Sequence, residues 1–249
     1  MRAPAFQNGS ALHLGRGDVH VWHSSIAVAR SEFDDLEGVL TPDERRRADR
    51  FHRNCDRAAF VVARGMVRLL AARYCGLAPA ELVIECSASG KPSFAGKAAA
   101  DGMEFNVSHT SDLAACVFAH RRRVGIDVEA VRGIPDADAI AASLFSPTEA
   151  AEYGQLPAAL RPRAFLSAWT RKEAFLKAIG DGLSRPLNSF SVAFAPNLPP
   201  RLVESRLPLP PGDWTIRAPD LGPGHVAAVV CEGAACDPTV RRLRSDSAV

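Results

Sequence analysis

No long apolar run, no strong charge of one sign and no paired-cysteine motif occur in this chain, and each absence removes a class of protein. No stretch approaches the roughly 18 uninterrupted apolar residues of a membrane span, and no basic segment followed by an apolar core opens the sequence. The expectation is a cytoplasmic protein without membrane association. Formal net charge is only +2 over 249 residues, so global electrostatics do not point to nucleic acid. The six cysteines (Cys55, Cys75, Cys86, Cys116, Cys231 and Cys236) include no C-x-x-C pair. Buried reduced thiols are expected, rather than disulfides or a zinc site. There is also no Gly-x-Ser-x-Gly elbow, which argues against nucleophilic serine chemistry.

What the chain does contain is one plan written twice. Thr41-Pro42-Asp43-Glu44 has an N-cap threonine, a proline suited to the first helical position and a glutamate that completes a capping box. Helical sequence follows toward Tyr74 and stops at Gly76. Ser146-Pro147-Thr148-Glu149 repeats the start, and a second long helix ends near Gly180 to Gly182. Each stop is followed by a leucine (Leu77, Leu183) and then a strand, Leu82 to Cys86 or Ser189 to Phe194. Further strands are expected at Val19 to Val28, Leu113 to Ala119, Trp214 to Ala218 and Val226 to Cys231. The result is an α+β fold of two similar subdomains, residues 1–123 and 124–239, divided at the arginine-rich turn Arg121 to Val124. Pro196 to Pro211 reads as a proline-rich loop, and 240–249 as a frayed polar tail.

Nine arginines and only two acids lie between Arg45 and Arg73. On one continuous helix, Arg46, Arg50, Arg53, Arg57, Arg64 and Arg68 would share a stripe opposite Phe51, Val62, Met66, Leu69 and Leu70. A break near Asn54 would destroy that phase. Solvation explains most such charges, and a basic surface for a phosphate or an acidic partner is the functional alternative.

Four short segments carry candidate chemistry. Around Trp169-Thr170-Arg171-Lys172-Glu173-Ala174-Phe175-Leu176-Lys177, read as one helix, Phe165, Ala168, Trp169, Phe175, Leu176 and Ile179 form an apolar arc. Glu173 and Lys177 flank this arc. Lys172 falls inside it, which simple core packing does not explain. Val124-Gly125-Ile126-Asp127-Val128-Glu129 alternates as a strand with one buried face. Asp127 and Glu129 then share a side about 6.6 Å apart, where they repel unless a cation or donor compensates them. Oxygen ligands of this kind suit Mg²⁺ shared with a phosphate. Asn106 and Ser108 of Phe105-Asn106-Val107-Ser108-His109-Thr110 suit a turn. Ser89-Gly90-Lys91-Pro92 is a turn whose lysine could meet phosphate.

In this order, Gly90-Lys91-Pro92, Phe105 to His109, Gly125 to Glu129, and Trp169 with Lys172-Glu173-Ala174 and Lys177 resemble the Sfp-type 4′-phosphopantetheinyl transferases. The resemblance runs from about Thr41 to Phe194. It implies a pseudo-dimer of two α+β lobes with coenzyme A between them. The implied reaction is Mg²⁺-dependent (or Mn²⁺-dependent) transfer of phosphopantetheine from coenzyme A to a serine of an apo acyl or peptidyl carrier protein, releasing adenosine 3′,5′-bisphosphate. A monomer is expected.

By the same resemblance, Asp127, Glu129 and Glu173 are the metal carboxylates, Glu173 is also the candidate base, and Lys177 holds phosphate. Gly90, Lys91, Pro92, Ser108 and His109 fall at coenzyme positions, and Arg47 at a basic position near the 3′-phosphate. Some relatives carry a basic residue where this chain has Glu44, and Glu129 is not universal among them. Two other readings stand beside this one. A metal-dependent phosphoesterase using His109 and the carboxylates would act without a carrier. A non-catalytic coenzyme- or carrier-binding module would have no need to concentrate negative charge beside a pyrophosphate.

Overall fold

The computed structural model describes residues 11–87, 90–180, 185–196, 198–206, 208 and 213–243. The described residues form eleven strands and seven α-helices. The first half comprises β1 (Val19–Ser25), α1 (Arg30–Gly38), α2 (Pro42–Ala48), α3 (Asn54–Cys75), β2 (Val83–Cys86), β3 (Pro92–Ala95), α4 (Gly96–Ala100), β4 (Met103–His109) and β5 (Leu113–His120). The second comprises β6 (Val124–Ala130), α5 (Ala137–Leu144), α6 (Pro147–Gln155), α7 (Arg161–Ile179), β7 (Phe190–Val192), β8 (Leu202–Ser205), β9 (Trp214–Arg217) and β10 (His225–Glu232), followed by β11 (Thr239–Arg242). No helix among the described residues is long and apolar enough to cross a membrane.

Both capping boxes form. Thr41 Oγ1 accepts from Glu44 N at 3.3 Å while Glu44 Oε2 accepts from Thr41 N at 3.0 Å. Ser146 and Glu149 repeat the exchange at 3.2 and 2.8 Å. Gly76 and Gly180 end the two long helices in the left-handed region, at φ 61° and 82°, where a Cβ would be strained. The sheets match as well: the strand order β1-β5-β4 recurs as β6-β10-β9, and each half adds a two-stranded pair, β2-β3 or β7-β8. The fold is α+β with two similar halves.

The buried lysine has its explanation in this repeat. Lys172 Nζ lies 2.7 Å from the capping-box carboxylate of Glu149, and also donates to the carbonyls of Leu187 (2.8 Å) and Phe190. In the first half Arg68 pairs with Glu44 and donates to Pro79 O and Leu82 O at 2.7 and 3.1 Å. Each cation stands eight residues before its terminating glycine. One device therefore ties the short helix, the long helix and the turn after it, once in each half.

The halves meet along β4 and β6. Asn106 Oδ1 accepts from Ile126 N at 3.0 Å, and Ser108 Oγ accepts from Val128 N at 3.4 Å. An apolar cluster drawn from both sheets, including Val21, Val117, Ile126, Val128 and Val229, lies in the same core.

Several expectations are corrected. Asn106 and Ser108 are strand residues, not turn residues, because their polar groups serve the facing edge of β6. The strand β6 is buried on both faces rather than one, since α7 covers the side bearing Gly125 and Asp127. The arginine stripe does not form, because the helix is interrupted between Ala48 and Asn54. Arg57 then turns to Glu37 and Asp49, and Arg64 and Arg68 to Glu44. Cys231 and Cys236 are joined in a disulfide, while Cys55 and Cys86 are exposed. The proline-rich segment contains β8, and Gly182 and Leu183 lie outside the described residues. The tail is not frayed from residue 240: β11 pairs in parallel with β1, from His20 with Thr239 to His23 with Arg242. Residues 244–249 lie outside the described residues.

Candidate active site

The site is set where β6, α7 and the end of β4 converge. Gly125 is what lets them approach. A Cβ there would lie 2.5 Å from Ala178 N and closer still to Ala174 O, so only glycine allows α7 to rest on the strand. What the missing side chain admits is therefore helix backbone. Two residues on, Asp127 points to the same side and is 6% exposed. Its Oδ1 accepts from Ser108 Oγ at 2.9 Å and from Lys177 Nζ at 2.7 Å. The same ammonium donates to Ile126 O at 3.2 Å. Asp127 Oδ2 is buried and has no hydrogen-bond partner among the described residues.

Glu129 and Glu173 lie close enough to Asp127 for the three carboxyl groups to act on one another. Burial first, then the charges of Asp127 and Glu129, raises the proton affinity of Glu173, and Lys177 opposes the rise. Glu129 is raised by burial and then by Asp127, against Arg132, Lys177 and a hydrogen bond from Trp169. Crowded carboxylates of this kind favour a nearby cation.

His109, at the end of β4, reaches solvent. Its proton affinity is nonetheless lowered, by partial burial first, with Lys177 adding to the effect and a hydrogen bond with Thr110 opposing it. Ser108, His109, Asp127, Glu129, Glu173 and Lys177 are thus gathered into one neighbourhood.

The other candidates lie elsewhere. Gly90, in the left-handed region at φ 82°, and Pro92, the first residue of β3, shape the turn between β2 and β3. Lys91 Nζ donates at 3.3 Å to Ala178 O, near the C-terminus of α7, and its proton affinity is lowered chiefly by burial. Arg47 is exposed on α2, with its guanidinium 5.3 Å from the centroid of Phe60.

Among the described residues, no group of three or more His, Cys, Asp or Glu side chains is placed to hold a metal ion. Asp127, Glu129 and Glu173 therefore do not form a closed ligand set. Mg²⁺ does not require one, because it keeps several waters and commonly uses one or two carboxylates with substrate phosphates. The orphaned Asp127 Oδ2 fits one such bond, and the raised proton affinities of Glu129 and Glu173 fit a site that a cation would relieve.

Two residues that sequence reasoning passed over support the site. Asn106 ties β4 to β6, and its spacing of two from Ser108 was the available signal, since both share a strand face. Trp169, part of the motif and of the apolar arc but given no role there, donates to Glu129. It stands four residues before Glu173, on the same helix flank.

Comparison with known proteins gives two family matches that follow one another along the chain. Residues 24–121 match the model described as 4′-phosphopantetheinyl transferase, N-terminal, and residues 123–230 match the 4′-phosphopantetheinyl transferase superfamily. The 4′-phosphopantetheinyl transferase HetI of Nostoc sp. is 34% identical over 191 residues, covering 77% of this chain and 80% of that protein. A 4′-phosphopantetheinyl transferase of Bacillus subtilis is 31% identical over 66% of this chain and 71% of its own length. The 4′-phosphopantetheinyl transferase Sfp of the same species is 27% identical, covering 81% of this chain and 86% of its own length. With a conforming fold and an acidic site between matching halves, the chain belongs to the 4′-phosphopantetheinyl transferase superfamily.

Proposed function

We propose that this chain transfers the 4′-phosphopantetheine group of coenzyme A to a serine of an apo acyl or peptidyl carrier protein, releasing adenosine 3′,5′-bisphosphate. The observation that carries the reading is Asp127, buried against Lys177 and Ser108, with one oxygen free of partners among the described residues and its charge felt by Glu129 and Glu173. Asp127 would hold Mg²⁺ or Mn²⁺ through that oxygen, with Glu129 and Glu173 acting directly or through water. When bound, the cation would supply Lewis-acid stabilisation of pyrophosphate charge.

The carrier's serine oxygen forms the new bond to the pantetheine-bearing phosphorus, and the bond from that phosphorus to the bridging oxygen breaks. The bridging oxygen leaves with the adenosine bisphosphate. Glu173 takes the serine proton, a role its raised proton affinity suits. Lys177 neutralises charge that develops on the phosphates. His109 at the exposed end of β4 and Ser108 buried beside Asp127 serve as coenzyme contacts. In this reading Gly90, Lys91, Pro92 and Arg47 contribute to the coenzyme surface from the first half. Residues 1–123 and 124–239 then form the two walls of one monomer's cleft, acting in the cytoplasm.

Incubation with coenzyme A, Mg²⁺ and a panel of apo-carriers tests the proposal by carrier mass. One added phosphopantetheine, dependent on both coenzyme and metal, is the expected result. Unchanged carriers in the presence of folded protein overturn it, and release of adenosine bisphosphate without any carrier would mark a hydrolase instead.

A further inference from the structure

A second charged feature lies across α7 from the carboxylates. Trp169, Glu173 and Lys177, spaced by four, form one row along α7, and Arg163, Ser167 and Arg171 form another. Arg171 and Glu173 are two residues apart, about 200° around the axis, so the rows face nearly opposite sides. Arg163, Ser167, Thr170 and Arg171 line a cavity of about 500 Å³, closed by Asp220 and by His225 at the start of β10.

Arg171 is anomalous in this setting. It is only 8% exposed, yet no carboxylate pairs with it among the described residues, and its hydrogen bond goes to Ala193 O. One carbonyl takes up one of the five N–H donors of a guanidinium. Burial without a counter-ion also pulls its proton affinity down, to a pKa of about 10. A buried, unpaired charge is costly, in contrast with Lys172 next to it, which has Glu149.

The remaining charges around the cavity do not cancel Arg171. Arg163 is exposed and makes no ion pair among the described residues. His225 Nε2 is engaged by Asp112 at 3.1 Å, and Asp220 Oδ1 accepts from Gly222 N at 2.9 Å at the rim. The cavity is large enough for a small ligand and is weighted toward positive charge.

We propose that this cavity is an accessory binding site for a small oxyanion, a phosphate or a carboxylate, held by the guanidinium of Arg171 with Arg163 at the mouth and the hydroxyl of Ser167 as a further donor, while the Thr170 hydroxyl donates to Ser167 O at 3.3 Å. A planar guanidinium matches both anions through paired N–H groups. The site does not depend on the coenzyme cleft, since it lies on the other side of α7. Its occupancy is therefore expected to be compatible with bound coenzyme A.

Calorimetric titration of the full chain, saturated with coenzyme A so that the catalytic phosphate contacts are filled, tests the proposal. Inorganic phosphate and citrate are the two probes, with chloride at matched ionic strength as the control. At least one oxyanion should bind, and whichever of the two binds identifies the class. Arg171→Met should weaken that binding roughly tenfold or more, the loss expected for a charged hydrogen bond, and Arg163→Gln should weaken it less. Without oxyanion, Arg171→Met should keep or raise the melting temperature, because it removes an uncompensated buried charge. Absence of oxyanion binding to the wild-type chain overturns the proposal. So does unchanged affinity in Arg171→Met, or in Arg163→Gln if the first variant fails to fold. A lower melting temperature with undiminished binding would assign Arg171 to holding Ala193 alone.

Discussion

The two halves share a frame and differ in what fills it. Counting from the start of the first strand, Trp22 in β1 occupies the place of Asp127 in β6. Counting back from the terminating glycine, Leu69 and Arg73 of α3 occupy the places of Glu173 and Lys177 of α7. In the first half Trp22 and Leu69 close an apolar core, and Arg73 stands half-buried at its edge. Trp22 Nε1 donates to Tyr74 Oη at 2.9 Å, Leu69 packs in the core, and a cavity of about 370 Å³ beside Leu69 and Arg73 is mainly apolar-walled. In the second half the same places hold a buried aspartate, a glutamate with raised proton affinity and a lysine. The supporting device, a capping-box glutamate paired to a buried cation, is retained in both. A scaffold that holds its helices by one means can therefore give up apolar packing at the site and accumulate like charge there.

The largest effect should come from erasing the difference. Glu173→Gln keeps shape and removes the anion, so single-turnover transfer should fall by about 10²–10⁴ while coenzyme A still binds. Lys177→Ala should cost less coenzyme affinity than rate, because Lys91, His109 and Arg47 remain. If the Gln variant lost only thermal stability and kept its rate, Glu173 would be an ordinary partner of Lys177 on a helix flank.

Breaking the shared device should cost stability rather than chemistry. Lys172→Met strands Glu149, which is buried, and should destabilise by about 3–5 kcal/mol in denaturant titration. Arg68→Met should cost less, because Glu44 is partly solvated and keeps Arg64 as a neighbour, 3.6 Å away. Equal losses would mean that the two pairs do not differ as their burial implies.

A smaller effect separates the halves by pH. The folded-state pKa values of Glu129 and Glu173 are raised, chiefly by burial. In the window between the unfolded and raised folded values, the native state binds more protons than the unfolded one. Stability therefore falls as pH rises through that window, and the cost persists at neutral pH. Glu173→Gln should raise the melting temperature at pH 7 and flatten its decline from pH 5, as followed by calorimetry. A lower melting temperature at pH 7 would contradict the inferred strain.

The smallest effect concerns the surface of the first half. Arg47, in the last turn of α2, and Arg50 and Arg53, between α2 and α3, are exposed. If an acidic carrier docks there, its Michaelis constant should rise with salt more steeply than that of a truncated, uncharged serine peptide. A salt-independent constant would leave these arginines as solvated charges.

What the sequence by itself determined was local. Thr41-Pro42-x-Glu44 and Ser146-Pro147-x-Glu149 start helices, and Gly76 and Gly180 stop them, because a cap is satisfied within three or four residues of itself. The alternation of Val124 to Glu129 likewise placed Asp127 and Glu129 on one side of a strand, and the repeat of starts and stops exposed the two-fold plan. Only tertiary structure decided the rest. Lys172 looked anomalous because its counter-ion stands 23 residues away, and Arg68 finds Glu44 across 24. Asn106 and Ser108 have turn chemistry, yet they lie in a strand because the facing edge of β6 uses their oxygens. The polar tail pairs with β1 because an unfilled sheet edge was waiting 219 residues upstream, from Thr239 to His20. Interactions that close over such distances depend on which surfaces the fold brings together, and no pattern within a single segment encodes them.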